Sequence, residues 1–194
     1  MNSLLDQTFY VKIIQTMKVE IKGVILECVK GDITDQPDFE AVVNAANAQL
    51  IKGGGVAGAI HRAAGPQLEE FCRPLAPIKP AEAVVTPAFN LPNRYVIHCL
   101  GPVYGVDEPS GEILANCYRN ILSVAEEKKI ATIAFVAIST GIFGFPMEEA
   151  ADIAFKTVLN MIPRLLYVKR IRFVLYDEES LNIHKKVLAR LLGC

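Results

Sequence analysis

The texture of the apolar runs constrains this fold more than any other feature. EAVVNAA, RYVIHCL, ATIAFVAI and RIRFVLY each carry several apolar residues in succession instead of alternating apolar with polar. A strand built that way is apolar on both sides, so its sheet needs cover on both faces. Segments of helical period separate the runs, and the chain alternates strand with helix. This order predicts a three-layer α/β/α sandwich around a central mixed, largely parallel sheet. Binding is expected at the carboxyl ends of the strands.

Local signals place the elements. MKVEIKGVILECVKGDI reads as two strands, 18–21 and 24–29, turning at Gly23. EAVVNAA, EAVVTPAF, RYVIHCL, ATIAFVAI and RIRFVLY supply the other strands. Val56, Ile60, Ala63 and Ala64 suit a small helix over 56–64, and Gly65-Pro66 opens another, because proline is tolerated in a first turn. Ser110 is the expected N-cap of a helix carrying Ile113, Leu114, Cys117, Ile121, Leu122 and Ala125. A long helix follows over about 147–162, and Asp177 is placed to cap a last one bearing Leu181, His184, Val187, Leu188 and Leu191.

Composition removes several classes of function. At 194 residues and 52% hydrophobic content, the chain suits one core without a linker. A net charge of −1 offers no global field for a nucleic-acid backbone or an anionic membrane, so any anion must be gripped locally. Five cysteines without a C-x-x-C pair argue against a disulfide framework and a thiolate zinc site, and fit a reducing compartment. The N-terminal MNSLLDQTFYVKIIQT lacks a basic start and a small-residue cleavage site, unlike a secretory signal. No run reaches the roughly 20 apolar residues of a membrane span.

Two glycine-rich loops stand between strand and helix. Gly53, Gly55 and Gly58 satisfy G-x-G-x-x-G, but NAQLIK intervenes after the strand and no acidic residue follows over 78–81, so the dinucleotide fingerprint fails. The Walker lysine is absent as well, since Ala59 and Ile60 follow Gly58. Glycines still let main-chain N–H groups approach a phosphate, and the helix starting near Val56 aims its positive end there. STGIFGFP, 139–146, is the second loop. Each alone reads equally well as a tight turn. Together, with Ser139 and Thr140 adding hydroxyl donors, they predict a cradle for one pyrophosphate.

Polar residues nearby have two readings each. Asp32 follows a strand in VKGDIT, where its carboxylate fits either a backbone turn or the exocyclic amine of a base. Tyr176 ends the last strand, where a ring can stack on a base or close the core. Asn44 and Asn47 bracket another strand end, where amides bind sugar hydroxyls or cap backbone groups.

Six segments decide between these readings. VKGDIT, VVNAAN, GGGVAGAIHRAAGP, YVIHCLGPVYG, ISTGIFGFP and VLYDEES, in this order and spacing, resemble the macrodomain family, which binds ADP-ribose. The resemblance runs from about Lys18 to Leu191, leaving residues 1–17 as an extension or extra edge strand beside a domain over 18–194. It implies that Asp32 binds the adenine amine, that Ile33 meets the ring and that Tyr176 flanks the base. Gly54, Gly55 and Val56 would wrap the pyrophosphate from one side, and Ser139, Thr140, Gly141, Ile142, Phe143 and Gly144 from the other. Asn47 would hold the distal ribose with Phe143 packed on that sugar, while Asn44, counted with the binding set, looks like a buried support.

Many members hydrolyse esters at the distal ribose, releasing ADP-ribose from modified Asp or Glu side chains or acetate from O-acetyl-ADP-ribose. One hydrolytic subset has an aspartate after GGGV, where this chain has Ala57. The resemblance therefore implies water attack assisted by the substrate's own phosphate, with Asn47, Gly55 and Phe143 as the residues of the reaction. A non-catalytic reader of ADP-ribose is the alternative. Val136 is a second departure, standing where many members carry proline. Partners would be ADP-ribose, ADP-ribosylated proteins or O-acetyl-ADP-ribose, in the cytoplasm or, in a eukaryote, the nucleus.

Other constellations are weaker. His61 is expected as a partly exposed helical residue bonded to a neighbouring carbonyl, His98 as a packed core residue, and His184 on the last helix; nothing pairs them as metal ligands. No serine or cysteine has a nucleophile context, and the spacing of Asp32, Asp35 and Asp38 is not that of a calcium loop, so neither metal nor cofactor is expected. Arg164, Lys169, Arg170 and Arg172 form the basic cluster, expected to be a solvated face and not a nucleic-acid site.

Overall fold

The computed structural model describes residues 17–193. The expected extension over residues 1–17 lies almost wholly outside them, and Met17 already belongs to the first strand. Strands β1 (Met17–Ile21), β2 (Val24–Lys30) and β3 (Ala41–Ala45) come first, then helices α1 (Gly55–Ala64) and α2 (Pro66–Cys72). Next are β4 (Ala83–Pro87), β5 (Tyr95–Cys99), α3 (Ser110–Glu127), β6 (Thr132–Phe135), α4 (Met147–Met161), β7 (Arg170–Leu175) and α5 (Glu178–Leu192).

All seven strands join one sheet in the order β1-β2-β7-β6-β3-β5-β4. The inner pairs are parallel, while β1 and β4 close the edges in antiparallel pairing with β2 and β5. Helices cover both faces, giving the mixed, largely parallel sandwich that the continuous apolar runs require. β3 has four successive buried residues, Ala41 to Asn44, as cover on both faces demands.

Aromatic rings weld the α3–α4 layer to the sheet. Phe135 and Phe173, register partners on β6 and β7, stack at 5.4 Å between centroids. Phe155 of α4 tilts onto Phe173 at 4.8 Å, and Tyr118 of α3 lies 5.5 Å from Phe135. Each fully buried ring of this kind contributes roughly 1.5–3 kcal/mol relative to exposure. The sheet's centre is thus rigid where the site loops are anchored.

Helix starts follow different rules. Asp177 caps α5 as expected, its Oδ1 accepting from the Ser180 N–H at 2.7 Å. Ser110 is instead the first residue of α3, after Pro109; its hydroxyl donates to the Asp107 carbonyl at 2.7 Å and so braces the preceding turn. Helix α1 starts after Gly54 with no side-chain cap and no acidic residue in its first turn, leaving its positive end open.

Candidate ligand cleft

The parallel strands all point their carboxyl ends to one side of the sheet. Asp32 follows β2, Asn47 follows β3, Gly101 follows β5, the 136–144 loop follows β6, and Tyr176 follows β7. Topology alone therefore collects residues that are far apart in the chain.

Between the glycine loop and the Ser139–Phe143 turn lies a cleft of about 160 Å³. Gly53, Gly54, Gly55, Val56 and Ala57 form one wall, and Ser139, Gly141, Ile142 and Phe143 the other. A Cβ on Gly54 would sit 3.2 Å from Ile142 Cδ1, so the loops face each other across a narrow gap. Ala45, Ala46, Asn47, Gly101 and Ala137 complete the lining.

Main-chain amides are the chemistry of this cleft. The N–H groups of Gly54, Gly55, Val56 and Ala57 find no acceptor among the described residues, and neither do those of Gly141, Ile142 and Phe143. Gly55 adopts φ +54°, a left-handed conformation that turns the chain into the first turn of α1. Opposite, Phe145 N donates to the Ser139 carbonyl at 3.0 Å and Gly144 N to the Gly141 carbonyl at 3.0 Å, consuming carbonyls within the turn. Residues of both walls thus carry unpaired main-chain donors, with no carboxylate in the lining. Such an array suits a diphosphate.

The hydroxyls of the second loop diverge. Thr140 spends its hydroxyl on the Ala137 carbonyl at 2.9 Å, so the expectation of a second hydroxyl donor fails there. Ser139 Oγ is buried without a partner, in a residue held at φ +66°. Gly101 faces it, where any Cβ would collide with that oxygen. Sequence reading assigned Gly101 no role; its signal was a Gly-Pro pair immediately after a buried strand.

The asparagines divide their work. Asn47 lines the cleft but clasps its own loop, Nδ2 donating to the Ile51 carbonyl at 2.8 Å and Oδ1 accepting from Ile51 N at 3.2 Å. Asn44 is fully buried and outside the lining, so it is a support and not a direct contact. Its Nδ2 donates to His98 Nδ1 at 3.0 Å, which leaves the imidazole proton on Nε2 to face Thr86 Oγ1 at 3.0 Å. Thr86 Oγ1 in turn donates to the Pro87 carbonyl at 3.0 Å. Burial, with His61 nearby, pushes His98 down to about 3.

Farther along the same carboxyl-end side of the sheet, Asp32 makes the backbone turn of its first reading. Its Oδ1 accepts from Thr34 N at 2.8 Å and Thr34 Oγ1 at 2.7 Å, while the residue stays exposed with Oδ2 to spare. The Asp32 carbonyl accepts from Gln36 Nε2 at 2.7 Å, and Gln36 Oε1 accepts from Arg172 at 2.8 Å. Ile33 is buried beside it, and Tyr176 is 90% exposed, so its ring does not close the core. Neither these three residues nor Thr140 and Gly144 line the cleft itself. Val136, at the second departure, is buried.

Two further expectations change. His61 is 5% exposed and both ring nitrogens are unpartnered, instead of the exposed, bonded residue expected; burial lowers its pKa against the opposing pull of Glu69. Arg170 and Arg172 are not a solvated face. Both bind the buried Glu27 at 2.8 Å and reach Asp38, and both lie over the Phe39 ring. Burial works against the Asp38 carboxylate, but the Arg172 hydrogen bond and both cationic neighbours bring it below its ordinary range. This network carries Asp32 through Gln36.

The family model described as Macro domain matches residues 43–154. The chain belongs to the Macro domain family. A Macro domain-containing protein of Chlorobaculum tepidum is 46% identical to this macrodomain over 168 residues, covering 86% of this chain and 97% of its own. The O-acetyl-ADP-ribose deacetylase of Salmonella newport is 44% identical over 170 residues, covering 85% and 94%. Among solved structures, the Oceanobacillus iheyensis macrodomain with ADP superposes with a TM-score of 0.88 at 39% identity, covering 92% of this chain and 97% of that one. Sheet, helices and loops of this macrodomain thus follow a fold already solved.

The macrodomain cleft has one chemical peculiarity. No titratable side chain lines it, and the small side chain of Ala57 stands beside the glycine loop. Among the described residues no three His, Cys, Asp or Glu side chains gather where a metal ion could sit. No helix among them is long and apolar enough to cross a membrane.

Proposed function

We propose that this macrodomain binds ADP-ribose and hydrolyses the ester on its distal ribose, with O-acetyl-ADP-ribose and Asp- or Glu-linked ADP-ribosylated proteins as substrates. The observation that carries the reading is the presence of unpaired main-chain amides in both walls of one narrow cleft. Support comes from the relative that acts as an O-acetyl-ADP-ribose deacetylase and from the neighbour bound to ADP.

Asp32 and Tyr176 hold the base, the amides hold the diphosphate, and Asn47 and Phe143 flank the distal ribose. Water adds to the ester carbonyl carbon, the bond to the ribose oxygen breaks, and the sugar hydroxyl and a carboxylic acid leave. With no titratable group in the lining, the attacking water gives its proton to a phosphate oxygen of the bound substrate, which hands it on to the ribose oxygen as the ester bond breaks. Gly55 keeps that oxygen within reach, because no side chain occupies the space above its backbone. The reaction takes no cofactor, and the free thiols of Cys28, Cys72, Cys99 and Cys117 suit the cytoplasm.

A non-catalytic reader is favoured by the same absence of a protein base. Incubation with O-acetyl-ADP-ribose and with a glutamate-ADP-ribosylated protein separates the two. Acetate or ADP-ribose release establishes the hydrolase, and binding in a calorimeter without product from either leaves the reader.

A further inference from the structure

Behind the glycine loop lies a second groove of about 500 Å³, formed by the end of α1, the start of α2 and Lys52. Its charged lining is Lys52, Arg62, Arg73, Glu69 and Glu70, with His61 at its floor. None of the three cationic side chains has an ion pair or hydrogen bond among the described residues, whereas Arg119, Arg170, Arg172 and Arg190 all do. His61 is buried with neither ring nitrogen satisfied, and Glu69 Oε2 stops 4.0 Å from Nδ1, too far for a hydrogen bond. A buried imidazole with an empty donor and an empty acceptor is costly to leave so.

The groove adjoins the reacting end of the cleft. Lys52 immediately precedes Gly53 of the cleft wall and follows the loop that Asn47 clasps at Ile51. The Arg62 guanidinium folds back along α1 to the first turn, where its Nη1 would lie 3.0 Å from a Cβ on Gly58. Lys52 and Arg62 are therefore tied to the cleft wall through the glycine loop and the first turn of α1.

We infer that this groove binds the polypeptide next to the modified residue, taking a segment with acidic side chains beside an ADP-ribosylated Asp or Glu. The inference rests on the function proposed above and extends it from the nucleotide to the protein that carries it. Lys52, Arg62 and Arg73 match flanking carboxylates, and His61 offers one donor and one acceptor, as a peptide unit requires. Glu69 and Glu70 stand against a uniformly anionic occupant, such as a longer ADP-ribose polymer, and accept the amide N–H groups or cations that a peptide also brings.

The test compares free ADP-ribose with a peptide that carries ADP-ribose through a hydrolysis-resistant amide, flanked either by Glu residues or by Ser residues. The acidic peptide is expected to bind about tenfold more tightly than free ADP-ribose at low salt, and the serine peptide no more tightly. In Arg62→Gln/Arg73→Gln that gain disappears while the affinity for free ADP-ribose holds. His61→Phe, which keeps the ring and removes its hydrogen bonds, lowers the gain without touching free ADP-ribose. Equal affinity of wild type for acidic peptide and free ADP-ribose overturns the groove proposal alone. Absence of any ADP-ribose binding overturns the function itself and the groove with it.

Discussion

Asn44 and His98 are register partners on the parallel strands β3 and β5, and the Asn44 amide donates to His98 Nδ1 across 3.0 Å. The bond needs a neutral imidazole. Burial holds His98 near 3 and His184 near 4, against an ordinary value of 6.5. Below pH 6.5 the unfolded chain takes up protons that the folded one refuses, so stability is whole above that value and drains as the pH falls toward 4. Each imidazole removes about 1.4 kcal/mol per pH unit within that window. Urea titrations at pH 7.5 and pH 5 should show a loss of several kcal/mol that shrinks in His184→Gln, and equal midpoints would contradict it.

Asp32→Ala should weaken ADP-ribose binding by about 1–3 kcal/mol, the cost of removing a charged hydrogen-bond partner. Calorimetry decides it. The loss should be smaller for the inosine analogue, which lacks the exocyclic amine, and an equal loss for both would place the base elsewhere.

Gly55 and Gly58 should fail in different ways. Nothing lies within 4 Å of a Cβ at Gly55, where φ is +54°, so Gly55→Val sends its side chain into the cleft and costs roughly 1–2 kcal/mol of backbone strain. Binding should vanish in a folded protein. Gly58→Ala drives its Cβ into the Gly53 carbonyl and should lower the melting temperature before affinity is considered. A Gly55→Val protein that binds ADP-ribose normally would remove the diphosphate cradle.

Ala57→Asp places a carboxylate where the lining has none. With a general base available, ester hydrolysis should rise by about 10²-fold and acquire an acid limb in its pH–rate profile. The wild-type profile between pH 6 and 8 should be nearly flat. A steep wild-type limb would mean that a group outside the lining titrates in the reaction.

The sheet, its two-sided cover and the glycine loops were legible because period and punctuation are local properties. Asp177 was readable as a cap for the same reason. His61 was not, because its neighbours, Glu69 of α2 and His98 of β5, come to it only through the tertiary packing. Arg170 and Arg172 looked solvated because their partners, Glu27 and Asp38, lie more than 130 residues away in the chain. That Asp32 and Tyr176 stand side by side was not legible locally, since only the parallel pairing of β2 and β7 brings their strand ends together. Gly101 escaped notice because its crowding by Ser139 is purely three-dimensional.

Tyr104 is tied to the cleft without lining it. Its N–H donates to the Phe143 carbonyl at 2.9 Å, its ring rests on Phe145 at 4.7 Å, and its hydroxyl reaches Glu149 in the first turn of α4. A sugar that displaces Phe143 must strain this joint, so deuterium uptake at the Tyr104 amide becomes a remote gauge of occupancy, quickening when the cleft fills.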